Sequence, residues 1–272
     1  MLRFIKEKIK RHVEKRTFSS YNHSLLTFDL PTEGRISYAR WLHPTYRSGT
    51  IDQSLVDFFK QYIKQGSFAI DIGAHEGDTT VPMALAAGKN GLILALEPNP
   101  HVFSVLEKNS RLNPDKYNII PLNVAATASD GEFEFGSGDA SYGNGGLIGF
   151  SSNSKSNIKY TQKVKGINLV DYLNNNFETK LTQLSFIKTD VEGYDKEIIK
   201  SLLPILKKYR PIVICEVFKL LSKEERSELY NLFHDVDYVI NRLPNFEGSQ
   251  PEVIKVDNML NWKHFDIICF PK

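Results

Sequence analysis

The tightest constraint on this chain sits at residues 68–80, FAIDIGAHEGDTT, where an apolar run ends in an aspartate and glycines follow at 73 and 77. A run without polar alternation that passes through glycine into a helical pattern reads as a strand covered on both faces, turning directly into a helix. The rhythm repeats. GLILALE (91–97), YNIIPL (117–122), LSFIKTD (184–190), PIVICEVF (211–218) and FDIICF (265–270) read as strands, with helical patterns over 78–87, 100–113, 194–208 and 222–233. Strand and helix taking turns predicts a Rossmann-like, doubly wound α/β fold. Its ligands should bind beyond the strand C-termini, where the sheet order reverses.

The spacing at the first turn selects among ligands. A dinucleotide fold uses G-x-G-x-x-G so that a pyrophosphate rests on free helix N–H groups. Here the pattern is Asp71-x-Gly73-x-x-x-Gly77, with an acid two residues before the first glycine. An acid there repels a diphosphate and favours a cation, such as the amino group and sulfonium of S-adenosylmethionine. The second strand ends in Glu97, placed to accept hydrogen bonds from ribose hydroxyls. Nicotinamide and adenosylmethionine sites share that feature, so a nicotinamide-dependent oxidoreductase stays open as the alternative.

The stretches FAIDIGAHEGDTT, LALEPNP, PLNVAATASDGEFEF, LSFIKTDVEGYDKEIIKS and PIVICEV occur in that order over residues 51–218. In this they resemble the FkbM family of S-adenosylmethionine-dependent methyltransferases, and Asp190-Val-Glu-Gly193 is the most family-specific piece. The resemblance implies a mostly parallel, seven-stranded sheet of the class I methyltransferase type. It also implies transfer of a methyl group to a hydroxyl, of a sugar or glycan precursor first and of a polyketide- or lipid-like metabolite otherwise. Carried over by position, Asp71, Gly73 and Gly77 would line the methionine end of the cofactor, with Ala74 and His75 between them. Glu97 would hold the ribose, and Asn123 and Ala125 would lie near the adenine. His75-Glu76 departs from the family pattern, which leaves those two roles open.

A hydroxyl is a poor nucleophile, so a base or a metal should assist it. Strand-end carboxylates are the candidates: Asp190 first, then Glu192 and Glu216. Glu192 could equally be a helix N-terminal acid, and Glu216 a buried acid bonded to loop amides. Asp190 and Glu216 could bind Mg²⁺ through oxygen, or act without metal. Among the histidines, His75 suits a cap or cofactor contact, His101 a first helical turn and His234 a helix end. His43 and His264 fall in segments without an assignment.

The remainder of the chain bounds the setting. Residues 1–16 carry seven Lys/Arg against two Glu, a net of +5 within a formal total of +2. Leu2, Ile5, Ile9 and Val13 share one helical face, which predicts either a solvated terminal helix or peripheral contact with an anionic membrane face. The rest of the chain is mildly acidic and carries no duplex footprint, so nucleic acid is not an expected partner. Cys215 and Cys269 lie in apolar strands and fit reduced, buried thiols of a cytoplasmic protein. Residues 1–50 read as a basic helix plus a packed appendage and 51–272 as the catalytic domain. Within it, the Gly/Ser/Asn-rich 136–160 reads as a long flexible excursion and 241–264 as a second insertion, both placed to set substrate choice.

Overall fold

A computed structural model describes residues 16–44, 46, 50–149, 158–246 and 250–272. Nearly all of the basic N-terminal segment therefore lies outside the described residues. In chain order, a hairpin of β1 (His23–Leu30) and β2 (Gly34–Trp41) precedes α1 (Gln53–Lys60). The first alternating units follow: β3 (Phe68–Ile72), α2 (Thr80–Ala87), β4 (Leu92–Leu96), α3 (Pro100–Asn109) and β5 (Ile119–Leu122). Next come β6 (Ala125–Thr127), β7 (Gly131–Ser137), β8 (Gly145–Leu147), β9 (Tyr160–Asn168) and α4 (Leu169–Leu181). The chain then returns through β10 (Leu184–Thr189), α5 (Asp195–Tyr209), β11 (Ile212–Val217) and α6 (Lys223–His234). It closes with β12 (Tyr238–Leu243), the short β13 (Glu252–Val253), a 3₁₀ turn (Val256–Leu260) and β14 (Phe265–Pro271).

The main sheet has eight strands in the order β13-β12-β14-β11-β10-β3-β4-β5. Pairs β11–β10, β10–β3, β3–β4 and β4–β5 are parallel, whereas β14 is antiparallel to both β11 and β12. The expected seven-stranded, mostly parallel sheet is thus corrected to a mixed one: β13 adds an edge, and the final strand returns as a hairpin partner. The parallel part follows from the apolar runs. β3 is buried at every position, and helix α2, TVPMALAA, is buried all round, as a helix sandwiched between layers must be. Local signals end the helices where the residues demand: Asn99 and Pro100 start α3, and Ser222 with Glu225 forms a capping box on α6. No helix among the described residues is long and apolar enough to cross a membrane.

Two departures shape the site. Residues 136–149 are not a flexible excursion: β7 and β8 are antiparallel partners in a four-stranded sheet, β6-β9-β7-β8. Its glycines belong to that pairing, since a Cβ at Gly145 would lie 2.4 Å from the Gly136 carbonyl. The second departure is the N-terminal hairpin, where Tyr38 Oη donates to Glu76 Oε1 (3.0 Å) and Trp41 N–H to Glu76 Oε2 (2.6 Å). Glu76, whose role the sequence left open, is the buried anchor of the appendage. The side chain of Asn109 extends the seam by bonding both the N–H and the C=O of Ala39.

Candidate active site

The sheet order reverses at β3, which lies between β4 and β10. Over the strand C-termini there lies a cavity of about 350 Å³, within the range of roughly 300–1,000 Å³ usual for small-ligand sites. Gly73, His75, Asp78 and Thr79 from the first turn line it, with Glu97 after β4, Val124 and Ala125 after β5, and Lys188, Asp190 and Glu192 around the end of β10. Asn144 to Leu147, around β8, close the far wall.

Asp71 stands one layer behind this cavity, fully buried and not part of its lining. Its Oδ2 accepts from the hydroxyls of Thr80 (2.6 Å) and Thr79 (3.1 Å), fixing the start of α2. Oδ1 has no hydrogen-bond partner and lies 3.7 Å from Lys188 Nζ. Burial raises the pKa of this carboxyl, while Lys188 and the threonines pull it down. The acid expected to attract a ligand cation therefore already faces a cation of the chain itself.

The turn glycines have structural duties. Gly73 has φ +83°, and a Cβ there would sit 2.0 Å from the Asp190 carbonyl oxygen. Only glycine lets the first turn pass so close to the β10 turn. Gly77 has φ +98° and faces Leu106 of α3, outside the cavity lining, as is the buried Ala74. The turn's donors are spent internally: Gly73 and Ala74 N–H bond the Leu96 carbonyl, and His75 N–H bonds Glu97 Oε2 at 2.8 Å. A diphosphate would find no free N–H at those three residues.

Glu97 lines the cavity just beyond the end of β4. Its other oxygen accepts from Asn99 N–H at 2.7 Å, and burial nevertheless pushes its pKa up to about 7. Asn123 does not reach the cavity; its amide bonds the carbonyls of Glu97 and Pro98 and so shapes the strand end. Ala125 does line the wall, with Leu96, Val124, Ala126 and Ile198 forming an apolar side. His75, at φ +48°, packs against Tyr46 with the rings tilted and their centroids 4.0 Å apart, and burial lowers its pKa, favouring the neutral imidazole. Tyr46 in turn donates to Asp78 Oδ2 at 2.9 Å.

On the β10 side, Asp190 Oδ2 lies 3.3 Å from Lys188 Nζ. Burial opposes charge on Lys188, but Asp190 and Asp71, then Asp78 and Asp266, outweigh it and hold the ammonium protonated. Glu192 adopts φ +58° and accepts from Asn144 Nδ2 at 2.6 Å, tying the β10 turn to β8. Beneath it, Asp195 accepts from Thr189 Oγ1 and from the N–H groups of Val191 and Gly193, holding the turn in shape. Burial, then Asp190, pushes its pKa up to about 7. Glu216 lies outside the cavity lining and pairs with His264, Oε1 to Nε2, at 2.6 Å. Where the alternative to a catalytic role for Glu216 was a carboxyl bonded to loop amides, its partner is a histidine. Among the described residues, no group of three or more His, Cys, Asp or Glu is arranged to hold a metal, so Asp190 and Glu216 gain no third ligand.

Lys188, Asp78, Asp195, Tyr46 and His264 escaped the sequence reading. Lys188 alone had a signal: a lysine inside an otherwise apolar strand run must be paired if buried. The others depend on strands meeting across the fold.

The family profile described as Methyltransferase FkbM domain matches residues 71–248. A relative, the hexuronic acid methyltransferase AglP of Haloferax volcanii, is 25% identical over 203 residues, covering 71% of this chain and 78% of its own. Among solved structures, methyltransferase FkbM of Methylobacillus flagellatus aligns with TM-score 0.45 and 13% identity, covering 78% of this chain and 50% of that one. An S-adenosylmethionine-dependent O-methyltransferase of Thermotoga maritima aligns at 0.42 and 11%, covering 91% and 77%.

Proposed function

The chain belongs to the FkbM family of S-adenosylmethionine-dependent methyltransferases, and we propose that within it the enzyme methylates a hydroxyl of a neutral sugar or glycan precursor. The nicotinamide alternative falls away with the family assignment and with the spent N–H groups of the glycine turn. When bound, the cofactor supplies an electrophilic methyl group on a cationic sulfur. The residues present fit it. The observation that carries the reading is the charge of the cavity wall: Asp78, Glu97, Asp190 and Glu192 face it, against Lys188 as the cation. That wall favours a positively charged donor. Glu97, held open by two backbone N–H groups, suits a ribose diol; the apolar side around Val124 and Ala125 suits the adenine; Gly73, Asp78 and Asp190 face the cationic end.

The acceptor class rests on less direct support. The name of the Haloferax relative specifies a hexuronic acid, which favours a sugar over a polyketide or lipid. The same acidic wall disfavours a second carboxylate, so a neutral sugar fits better than a uronate. That Asp190 and Glu192 border the cavity supports a role for them in orienting the acceptor.

Calorimetric titration with S-adenosylhomocysteine tests the cofactor half. Glu97→Ala should weaken binding by about 10- to 100-fold, the usual worth of a charge-assisted pair of hydrogen bonds. Wild-type affinity in that variant would refute the ribose assignment. Mass spectrometry of glycans from cells with and without the gene tests the acceptor half: a methyl-sized loss on a neutral residue is expected, and loss confined to lipids would overturn it.

A further inference from the structure

The cavity has a closed side and an open one. Glu97, Asn99, Val124 and Ala125 are buried, so the nucleoside of the cofactor belongs to the closed side. Among the described residues that line the cavity, only Asn144 and Asp190 are exposed, the Asp190 side chain to 46%. A glycan, too large to enter whole, has its open approach across that rim. The place of Asn144 on the rim is set by backbone contacts. A Cβ at Gly146 would lie 2.8 Å from the Val191 carbonyl oxygen, so β8 lies close against the turn after β10. Ser137 Oγ donates to the Asn144 carbonyl at 2.6 Å. The Asp139 carboxylate accepts from the N–H groups of Ser141 and Gly143, both at 3.1 Å, and braces the loop that leads into Asn144.

The side chain so placed has bonding capacity left over. Nδ2 donates to Glu192 Oε1 at 2.6 Å, and Oδ1 accepts from the Gly145 N–H at 2.9 Å. A primary amide carries two N–H donors and a carboxylate two accepting oxygens. The second N–H of Asn144 and the Oε2 of Glu192 are thus without a partner among the described residues. A sugar hydroxyl both donates and accepts, so a donor and an acceptor held side by side suit two neighbouring hydroxyls. We propose that Asn144, with Glu192, forms the acceptor subsite. The amide N–H gives a hydrogen bond to one sugar hydroxyl, the carboxylate accepts one from its neighbour, and Asn144 is a specificity-determining residue. A carboxylate on the acceptor would meet Glu192 instead, in keeping with a neutral sugar. The inference rests on the O-methylation reading and adds to it that the β7–β8 hairpin reads the acceptor.

The test uses the full chain, methyl-labelled S-adenosylmethionine and a glycan extract from cells lacking the gene, divided by anion exchange into neutral and acidic fractions. Because backbone contacts seat β8, Asn144→Ala should melt close to the wild-type temperature and bind S-adenosylhomocysteine within about twofold of the wild type. The half-saturating amount of the neutral fraction should rise about tenfold, with the maximal rate kept within about twofold. A bond that merely held β8 in place would lower melting or cofactor affinity instead. Asn144→Lys keeps a partner for Glu192 but sets an ammonium on the rim; it should raise the acidic-to-neutral labelling ratio by about two- to fivefold, the reach of an exposed ion pair. Wild-type half-saturation in Asn144→Ala, a loss confined to melting or cofactor affinity, or an unchanged ratio in Asn144→Lys overturns the subsite and leaves the O-methylation reading standing. A wild-type chain that binds S-adenosylhomocysteine yet labels nothing in the neutral fraction overturns the neutral-sugar reading, and this inference with it.

Discussion

The two halves of the active site manage buried charge in opposite ways. Around β3 and β4, acids are satisfied by uncharged groups of the two strand-end turns: Asp71 by the hydroxyls of Thr79 and Thr80, Glu97 by the N–H groups of His75 and Asn99. Around β10, β11 and β14, charged side chains do more of the work: Lys188 lies between Asp71 and Asp190, and Glu216 depends on His264. Local satisfaction gives a turn whose acids are held by fixed uncharged donors. Long-range pairing gives groups whose protonation depends on one another.

The comparison breaks most severely if the seam between the halves is opened. Gly73→Ala should destabilise the protein by more than about 3 kcal/mol, since the added carbon would overlap the Asp190 carbonyl at a φ that L-residues avoid; urea unfolding reads the loss, and a stable variant would show that the seam yields. Next, Lys188→Met leaves Asp71 and Asp190 facing each other without an ammonium and should cost about 3–5 kcal/mol. The same substitution in an Asp71→Asn background should cost clearly less, and equal costs in the two backgrounds would deny the pairing.

A smaller effect sharpens the local half. Glu97 has its pKa raised from 4.5 to about 7, so the folded protein holds a proton there that the unfolded chain releases. In the absence of ligand, its contribution to stability therefore falls as pH rises from about 4.5 to 7. Binding needs the ionised form to accept the ribose hydroxyls, so S-adenosylhomocysteine affinity should rise by about tenfold between pH 6 and 8; calorimetry across that range would show a flat profile if Glu97 played no part. The smallest effect tests a surface tie: Asn144→Ala removes the exposed bond to Glu192 and should shift stability by less than about 0.5 kcal/mol. A larger shift in thermal melting would mean that β8 is part of the frame and not merely a wall laid on it.

The local half was also the legible half. The apolar runs gave β3, β4, β5, β10, β11 and β14 within a residue or two, because a strand buried on both faces leaves few positions for a polar side chain. Glu97 could be placed because a strand end at the switch point has one direction to face. The four-stranded sheet could not be read, because β6 and β8 are only three residues long and the glycines of β8 mimic a loop. Asp71 was legible as a strand-end acid, but its burial behind the cavity lining was not, since that depends on Lys188 standing opposite it in register.

What the amino-acid order determined by itself was periodicity and handover: which segments are strands, where the glycine turn falls, and that its chemistry disfavours a diphosphate. What only the tertiary structure decided was the state of each charge. Burial and distance set that, and both arise when Lys188 meets Asp71 and Asp190, and when His264 comes within 2.6 Å of Glu216 from far along the chain.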